Sequence, residues 1–450
     1  MKNYKINLEK NVEKIIEIFN KENYEIFVVG GSVRDSILGI KVNDWDLTTI
    51  AEPDMVLEIA KKYNIKAIPT GIAHGTITYL IENRAYEITT YRLETEYINH
   101  RKPIGIKFSK SLKEDLKRRD FTINALAYHP EKGLFDYFGG LQDIKLKKLK
   151  TVGDANERLE EDSLRILRAI RFSSKLNFEM DINLINAIES KRNLIHYLSI
   201  ERIQQEFSKI MISDNVVLGL KLLYKFRIMD IILPELLIMV GFNQNNPNHN
   251  LNLLDHTFKV IENTPSNLKL RLVALFHDIG KPQTYSEDDD KVGHFYKHEK
   301  ISSEMTYKIM KRLNYSNNLI KNVCNLISLH MNVYNGDYTD KAIKKLVNNL
   351  ENNSIEEFVI IQKADILGTV NVNEIYRLDE LLERYEIMKN KKEPFNMSDI
   401  NINGNDLIKI GILEGPKIGK ILNELFELVL DEKINNDKIQ LIDYVKRYYK

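Results

Sequence analysis

The sequence predicts a multidomain α+β protein, with a short mixed sheet near the N-terminus and helices in the rest of the chain. Short apolar runs, separated by turn residues, fill about the first 130 residues. From Glu157 the apolar residues recur at helical spacing almost to the C-terminus. A chain of 450 residues is also too long for one hydrophobic core.

The N-terminal elements follow from these patterns in order. Residues 10–20 have helical spacing, and "YEIFVVGG" (Tyr24–Gly31) is typical of a buried strand that ends in a tight turn. After the turn we expect a short helix, a strand, a helix that begins at a proline and two further strands, over Val33–Leu38, Asp44–Ile50, Pro53–Tyr63, His74–Glu82 and Ala85–Arg92.

Composition excludes several classes of protein. Hydrophobic residues make up 43% of the chain and the net charge is +1, which excludes a disordered chain and a uniformly basic nucleic-acid coat. Cys324 is the single cysteine, so no intrachain disulfide can form and a reducing compartment is expected. With no signal-peptide pattern and no long apolar run, we expect a cytoplasmic protein without a membrane partner.

The segment "NDWDL" carries the first candidate site. In a strand, Asp44 and Asp46 share one face and Trp45, the single tryptophan, points to the other. Two neighbouring carboxylates repel each other unless a cation lies between them, and carboxylate oxygens suit Mg²⁺. The alternative, surface acids on a turn, stays open on these residues alone.

A glycine turn precedes these acids. Gly30, Gly31 and Ser32 lead into the short helix, and glycines let backbone N–H groups approach a phosphate at a helix N-terminus. Arg34 adds a positive charge. The turn and the acids together favour a site for a nucleotide and a metal ion.

Longer motifs carry a family resemblance. "GGSVRD", "DWDLTT", "LKRRDFTINALAYHP" and "LFDYFGGLQDI" follow one another between Gly30 and Ile144. Together they resemble the class II tRNA nucleotidyltransferase family, which comprises the CCA-adding enzymes and their bacterial poly(A) polymerase relatives. The resemblance extends from about Asn23 to Phe207, more weakly to the C-terminus, and implies a head with the fold of the DNA polymerase β superfamily.

The resemblance also implies an activity and its residues. The enzyme would add or repair the 3′-terminal CCA of tRNA from CTP and ATP, releasing pyrophosphate by a two-metal in-line mechanism. Asp44 and Asp46 would bind two Mg²⁺ ions, and Glu87 is a candidate third catalytic acid. The implied nucleotide-binding residues are Gly30, Gly31, Ser32, Arg34, Arg118, Arg119, Asp120, Asn124, Asp162, Arg165 and Arg168.

Base selection is assigned to "EEDSLRILRAIRF" (Glu160–Phe172), which predicts one continuous helix with Asp162 and Arg165 on the same face. The carboxylate acceptor of Asp162 beside the guanidinium donor of Arg165 matches the amino donor and the ring-nitrogen acceptor of cytosine and adenine. The same pair would leave the polar groups of guanine and uracil unpaired. A salt-bridged surface helix is the alternative from this stretch alone. The family's base-selecting "EDxxR" motif, which these two residues match, favours the first reading, and Arg171 is a candidate RNA contact.

The family contains several activities. The segment Tyr91–Phe108 occupies the place of a flexible loop that CC-adding members lack, which argues against a CC-only enzyme. An A-adding enzyme or a poly(A) polymerase remains the nearest alternative. A hydrolase with a nucleotide-binding head and a non-catalytic RNA-binding protein are alternatives of other classes.

A second set of ligand-type residues lies further along the chain. "DHTFKVI", "LFHDIGKP", "KHEK" and "KAD" resemble the HD phosphohydrolase superfamily. The resemblance implies a site for a transition metal and a possible phosphohydrolase activity, with Lys281 beside the phosphate. The implied ligands are His256, His277, Asp278, His298, His330 and Asp365.

The C-terminal segment is rich in glycine and lysine. Lys417 and Lys420 are candidate contacts to RNA phosphates, and helix capping is the alternative. The predicted domains are therefore a head (1–150), a helical neck that selects nucleotides and binds RNA (151–245), an HD domain (250–370) and a helical tail that binds tRNA (390–450). The sequence does not predict the oligomeric state.

Overall fold

The computed structural model describes residues 4–94, 97–98, 102–103, 106–247, 251–332, 334, 338–370 and 375–449. Two compact units make up the chain, Met1–Ile232 and Leu233–Lys450. The first contains the sheet and the second is almost entirely helical, so the predicted fold class is confirmed. The finer division into four domains stays a prediction. Within the described residues, no helix combines the length and apolarity needed to span a membrane.

The first unit contains thirteen described strands. They are β1 (Ile26–Val29), β2 (Asp46–Thr49), β3 (Lys66–Gly71), β4 (Thr76–Ile81), β5 (Arg84–Thr90), β6 (Arg92–Glu94), β7 (Tyr97–Ile98), β8 (Lys102–Pro103), β9 (Ile106–Phe108), β10 (Leu126–His129), β11 (Gly133–Asp136), β12 (Lys148–Leu149) and β13 (Glu179–Met180). Seven of them form a mixed sheet in the order β11-β10-β1-β2-β5-β4-β3.

Register places the acids of the sheet side by side. Strand β1 lies between β10 and β2 with all four side chains buried, and β2 pairs with it antiparallel. Strand β2 pairs with β5 in parallel, which sets Asp46 opposite Glu87. The apolar side chains of β1 and β10 pack on Tyr91, Leu112 and Leu116, and this core fixes the sheet beneath the site.

Helices complete the first unit. They are α1 (Lys10–Lys21), α2 (Gly31–Ile37), α3 (Pro53–Lys62), α4 (Leu112–Lys117), α5 (Gly140–Lys145), α6 (Ala155–Glu161), α7 (Leu164–Leu176), α8 (Ile182–Lys191), α9 (Ile200–Met211), α10 (Val216–Lys225) and α11 (Met229–Ile232). Asp154 caps the N-terminus of α6 through its side chain, and Asn177 in the left-handed region ends α7.

The second unit is built from helices and one small hairpin. The helices are α12 (Leu253–Glu262), α13 (Leu268–Phe276), α14 (Lys281–Thr284), α15 (His298–Arg312), α16 (Asn317–Leu329), α17 (Asp340–Asn349), α18 (Ile355–Ile366), α19 (Ile375–Asn390), α20 (Gly404–Lys409), α21 (Pro416–Leu430) and α22 (Lys438–Tyr449). The hairpin pairs β14 (Ser286–Glu287) with β15 (Gly293–His294).

The strand that carries "NDWDL" is shorter than predicted. It begins at Asp46, whereas the prediction began at Asp44. Strand β1 ends at Val29 and Gly30 turns away with φ +74°, so residues before Asp46 have no ladder partner on that side. The alternation still holds, because Trp45 is 6% exposed while Asp44 and Asp46 are exposed.

Trp45 is therefore expected to act on stability. Replacing it with alanine (Trp45→Ala) removes a large buried side chain and should lower the free energy of unfolding by about 3 kcal/mol. Ile40→Ala is the matched control: Ile40 is close in the chain and 41% exposed, so its cost should be within about 0.5 kcal/mol. Urea unfolding followed by circular dichroism measures both, and equal effects would contradict a core position for Trp45.

Candidate active site and metal centre

The first unit encloses a strongly basic cavity of about 850 Å³. Ten arginine and lysine side chains and four aspartates line it, so the cavity is suited to polyanions. The lining residues are Gly30, Gly31, Arg34, Asp44, Asp46, His74, Arg92, Arg118, Arg119, Asp120, Asn124, Asp162, Arg165, Arg168, Arg171, Phe172, Lys175, Arg202 and Lys209.

The predicted metal-binding acids lie together. Asp44 and Asp46 both line the cavity, and Glu87 lies beside Asp46 on the neighbouring strand. Asp46 is exposed at the cavity, but the surrounding protein removes part of its hydration, which raises its pKa. The charges of Glu87 and Asp44 raise this pKa further, against the opposing effect of Arg119. A divalent cation would relieve this repulsion, so the three carboxylates fit a metal site.

The glycine turn brings backbone close to an arginine. Gly30 has φ +74°, and a Cβ atom there would lie 2.8 Å from Nη1 of Arg119. Ser32 does not line the cavity, since its buried hydroxyl donates to the Val29 carbonyl at 2.9 Å. Arg34 does line it, and it donates to Asn124 and, through Nε, to Asp35 at 2.8 Å.

Asp120 is a buried junction. Its Oδ1 accepts from the Phe121 backbone at 2.8 Å and from Asn124 Nδ2 at 3.0 Å, and its Oδ2 accepts from Arg168 Nε at 2.7 Å. Burial opposes ionisation, but Arg168 and these hydrogen bonds outweigh it and hold the pKa of Asp120 well below its usual range. Asp120 therefore positions Arg168 and Asn124 at the cavity wall.

Sequence reasoning missed Asp115, which anchors the arginine pair. Asp115 is fully buried, with Oδ1 2.9 Å from Nη2 of Arg118 and Oδ2 3.6 Å from Nη2 of Arg119. Burial raises the pKa of Asp115, and the two arginines more than compensate, leaving it below its usual value. Its spacing of three and four residues before the arginines on a helical segment was the available signal.

The predicted continuous helix over Glu160–Phe172 is wrong. Helix α6 ends at Glu161, Asp162 is extended with φ −140° and ψ 101°, and α7 begins at Leu164. Asp162 and Arg165 therefore do not share one helical face, although both line the cavity. The break is stabilised locally, because Oδ1 of Asp162 accepts from the Leu164 backbone at 3.2 Å.

The two residues have different partners. Arg165 donates to the carbonyls of Arg158 at 2.8 Å and Arg118 at 3.1 Å, and to Glu161 at 2.7 Å. Asp162 instead pairs with Arg202 of α9. The two side chains predicted to recognise the base are therefore held in place separately, each by its own partners.

The predicted RNA contacts occupy contrasting surroundings. Arg171 lines the cavity but is buried against Phe172 and paired with Glu206, with Nε 2.5 Å from Oε2. Lys417 and Lys420 are exposed in the first turns of α21 in the second unit. The predicted loop Tyr91–Phe108 lies partly outside the described residues, and its role stays a prediction.

The second unit brings all six predicted HD residues together. They come from α12, the ends of α13 and α16, the start of α15 and the end of α18, namely His256, His277, Asp278, His298, His330 and Asp365. The groups His256–His277–Asp278 and Asp278–His298–His330 can each hold a metal ion, with ligand atoms within 4.8 Å of one another. The sets share Asp278.

Hydrogen bonds orient the imidazoles for metal binding. Each Nδ1 faces a backbone carbonyl at 2.6–3.0 Å, of Gly368 for His256, Ala274 for His277, Phe295 for His298 and Ile327 for His330. A carbonyl only accepts, so Nδ1 carries the proton and Nε2 presents its lone pair inward. Nε2 of His298 lies 3.2 Å from Nε2 of His330, an approach that a shared cation satisfies.

The charges of the cluster also fit a cation. Burial lowers the pKa of His277, but Asp278 and Asp365 outweigh it and raise that pKa to about 10, so these carboxylates favour a proton on Nε2. A metal ion bound at Nε2 would replace that proton and meet the same carboxylates. Burial raises the pKa of Asp278, yet His277 and Lys281 hold it well below its usual range. Lys281 is buried and contacts Asp278 at 2.8 Å and Gln244 at 2.9 Å, so it neutralises this aspartate.

Family models match three parts of the chain. The Poly A polymerase head domain matches residues 26–150, and the probable RNA and SrmB-binding site of polymerase A matches residues 177–239. The putative tRNA nucleotidyltransferase domain 2 matches residues 288–445. The HD resemblance stays a prediction.

Whole-chain comparisons agree with these models. Two solved structures have the same fold: a Bacillus stearothermophilus CCA-adding enzyme in complex with CTP (TM-score 0.70, 22% identity, 98% of both chains) and a Thermotoga maritima CCA-adding enzyme complexed with tRNA (TM-score 0.56, 19% identity, 98% and 97%). A CCA-adding enzyme of Pediococcus pentosaceus is 30% identical over 443 residues, which cover 98% of each chain. The predicted resemblance is confirmed, and the chain belongs to the CCA-adding enzyme family.

Proposed function

We propose that this nucleotidyltransferase adds or repairs the 3′-terminal CCA of tRNA from CTP and ATP. The observation that carries the proposal is the basic cavity, which is lined both by Asp44 and Asp46 and by Asp162 and Arg165. Membership of the CCA-adding family supports this assignment over the hydrolase-only and RNA-binding alternatives. A cytoplasmic location is part of the same proposal.

We assign metal binding and triphosphate binding to different residues. Asp44, Asp46 and Glu87 would hold Mg²⁺, which when bound lowers the pKa of the RNA 3′-hydroxyl and neutralises the leaving pyrophosphate. Arg118 and Arg119, pre-positioned by Asp115, would bind the triphosphate.

Asp162 and Arg165 are assigned to base recognition. The Asp162 carboxylate would accept from the amino group of cytosine or adenine, and Arg165 would donate to the ring nitrogen. Arg168, held by Asp120, and Arg34, held by Asn124, would complete the nucleotide pocket. Arg171, Lys417 and Lys420 remain the proposed RNA contacts.

A nucleotide-addition assay tests the proposed function. Transcripts that end before CCA, after C and after CC are incubated with CTP, ATP or both, and the products are sequenced. Completion of CCA on all three is expected, and Asp44→Asn should abolish it without changing the circular dichroism spectrum. Long A tails, addition of only one A to the CC-ended transcript, or a stop at CC would overturn the assignment.

The close approach of Gly30 to Arg119 leads to a second prediction. Gly30→Ala places a methyl group against Arg119 and should lower kcat/KM for CTP by about 100-fold. Gly39→Ala is the matched control, since Gly39 also has a positive φ, of +71°, but nothing lies within 4 Å of its Cβ position. Both variants should lose thermal stability, whereas only Gly30→Ala should lose activity; equal kcat/KM values would contradict this role of the turn.

We also propose that the HD cluster binds one or two transition-metal ions and hydrolyses phosphate esters. Convergence of four Nε2 atoms and two carboxylates supports metal binding, because mixed nitrogen and oxygen donors favour such ions over Mg²⁺. A metal ion held there would activate water. RNA ends with a terminal phosphate or a 2′,3′-cyclic phosphate are candidate substrates.

Metal analysis tests the HD proposal independently of nucleotide addition. The protein loaded with Mn²⁺, Ni²⁺ or Zn²⁺ and then desalted should retain metal in elemental analysis, and His277→Ala should retain less than half as much. The loaded protein should also hydrolyse 2′,3′-cyclic AMP. Asp46→Asn is the matched control and should leave metal content at the HD cluster unchanged; equal retention by His277→Ala would refute the site.

A further inference from the structure

Asp162 is held by an arginine from another helix. Nη2 of Arg202, in α9, lies 3.2 Å from Oδ2 of Asp162, while Oδ1 accepts from the Leu164 backbone. Both carboxylate oxygens are therefore engaged, each by a donor in a different element. Because an aspartate oxygen has two acceptor sites, each can still accept one more hydrogen bond.

The position of Asp162 in the chain explains why its contact with Arg202 matters. Asp162 lies at the extended break between α6 and α7, so no helical turn fixes its side chain. The Leu164 backbone holds one oxygen, but a single hydrogen bond leaves the carboxylate plane free to rotate. The contact from Arg202 fixes that plane, with the two side chains 26% and 21% exposed toward the cavity.

In the described structure the guanidinium of Arg165 is held by Arg158, Glu161 and Arg118, and the ion pair of Asp162 is with Arg202. Arg202, by contrast, has a buried Nη1 that meets no hydrogen-bond partner among the described residues. The guanidinium that contacts Asp162 thus belongs to Arg202. This residue lies outside the "EDxxR" motif, which contains Asp162 and Arg165.

We infer that Arg202 is a positioning residue for base selection: it orients the Asp162 carboxylate that reads the incoming nucleotide. The inference rests on the proposed reading role of Asp162 and adds a residue to it. A free carboxylate rotates and accepts from either kind of base edge. A fixed one presents its acceptor in one direction, which penalises uracil and guanine.

Single variants test the inference. Arg202→Met keeps the length of the side chain and removes its donors, so the preference for CTP over UTP on a transcript that lacks CCA should fall about tenfold. Most of this change should appear in KM for CTP, with a smaller change in kcat. Arg202→Lys, which keeps the charge, should recover part of the preference.

Arg227→Met is the matched control. Arg227 forms a comparable ion pair in the same unit, with Nε 2.9 Å from Asp230, but it is 68% exposed and does not line the cavity. The preference of the Arg227→Met variant for CTP over UTP should equal that of the parent enzyme. Thermal midpoints of all variants separate a loss of preference from a loss of folding.

A double variant decides whether Arg202 acts through Asp162. Asp162→Ala alone should lose the preference, which tests the proposed reading role by itself. In that background Arg202→Met should cause no further change. Parental preference in Arg202→Met would overturn the inference while leaving the proposed function intact; equal, multiplicative losses in both backgrounds would overturn it by showing direct contact with the substrate.

Discussion

The basic cavity depends on one partly buried interaction, the ion pair between Asp120 and Arg168. Asp120 follows the arginine pair of the sheet-containing part, and Arg168 lies on α7. Through Asn124 the same carboxylate also reaches Arg34 beside the glycine turn. A buried charge needs such compensation, and loss of either partner would leave the other uncompensated. Arg168, Asn124 and Arg34 therefore keep their positions at the cavity because Asp120 remains ionised and hydrogen-bonded.

Electrostatics at the site separates two kinds of aspartate. Asp115 and Asp120 have lowered pKa values because arginines contact them directly, and they hold those arginines in place. Asp46 has a raised pKa because lost hydration and neighbouring acids outweigh Arg119. The first kind is satisfied by the protein itself, whereas the second is suited to an added cation. This contrast separates the carboxylates that position arginines from the carboxylate proposed to bind a metal ion.

The sequence predicted the elements whose pattern is local. The strand period placed Asp44 and Asp46 on one side and Trp45 in the core, and the resemblance to the HD superfamily pointed to the six residues that the structure brings together in the second unit. The break at Asp162 was not predicted, since "EEDSLRILRAIRF" has helical spacing throughout and the break depends on a hydrogen bond to Leu164 and an ion pair with Arg202. Asp115 and Arg202 were missed because tertiary packing determines their partners. The helical or strand repeat of a local sequence does not predict such packing.

The imidazoles of the HD cluster have a consequence for folding. Three of the four donate Nδ1–H to the carbonyl three residues earlier, so each ligand atom is fixed to the last turn or leading loop of its own helix. An ion bound by Nε2 atoms from several helices binds only when those helices are assembled. Ligand binding restricted to the folded form stabilises it by mass action. A metal ion bound at this cluster would thus raise the equilibrium stability of the folded Leu233–Lys450 unit, and the gain would grow with the concentration of free metal.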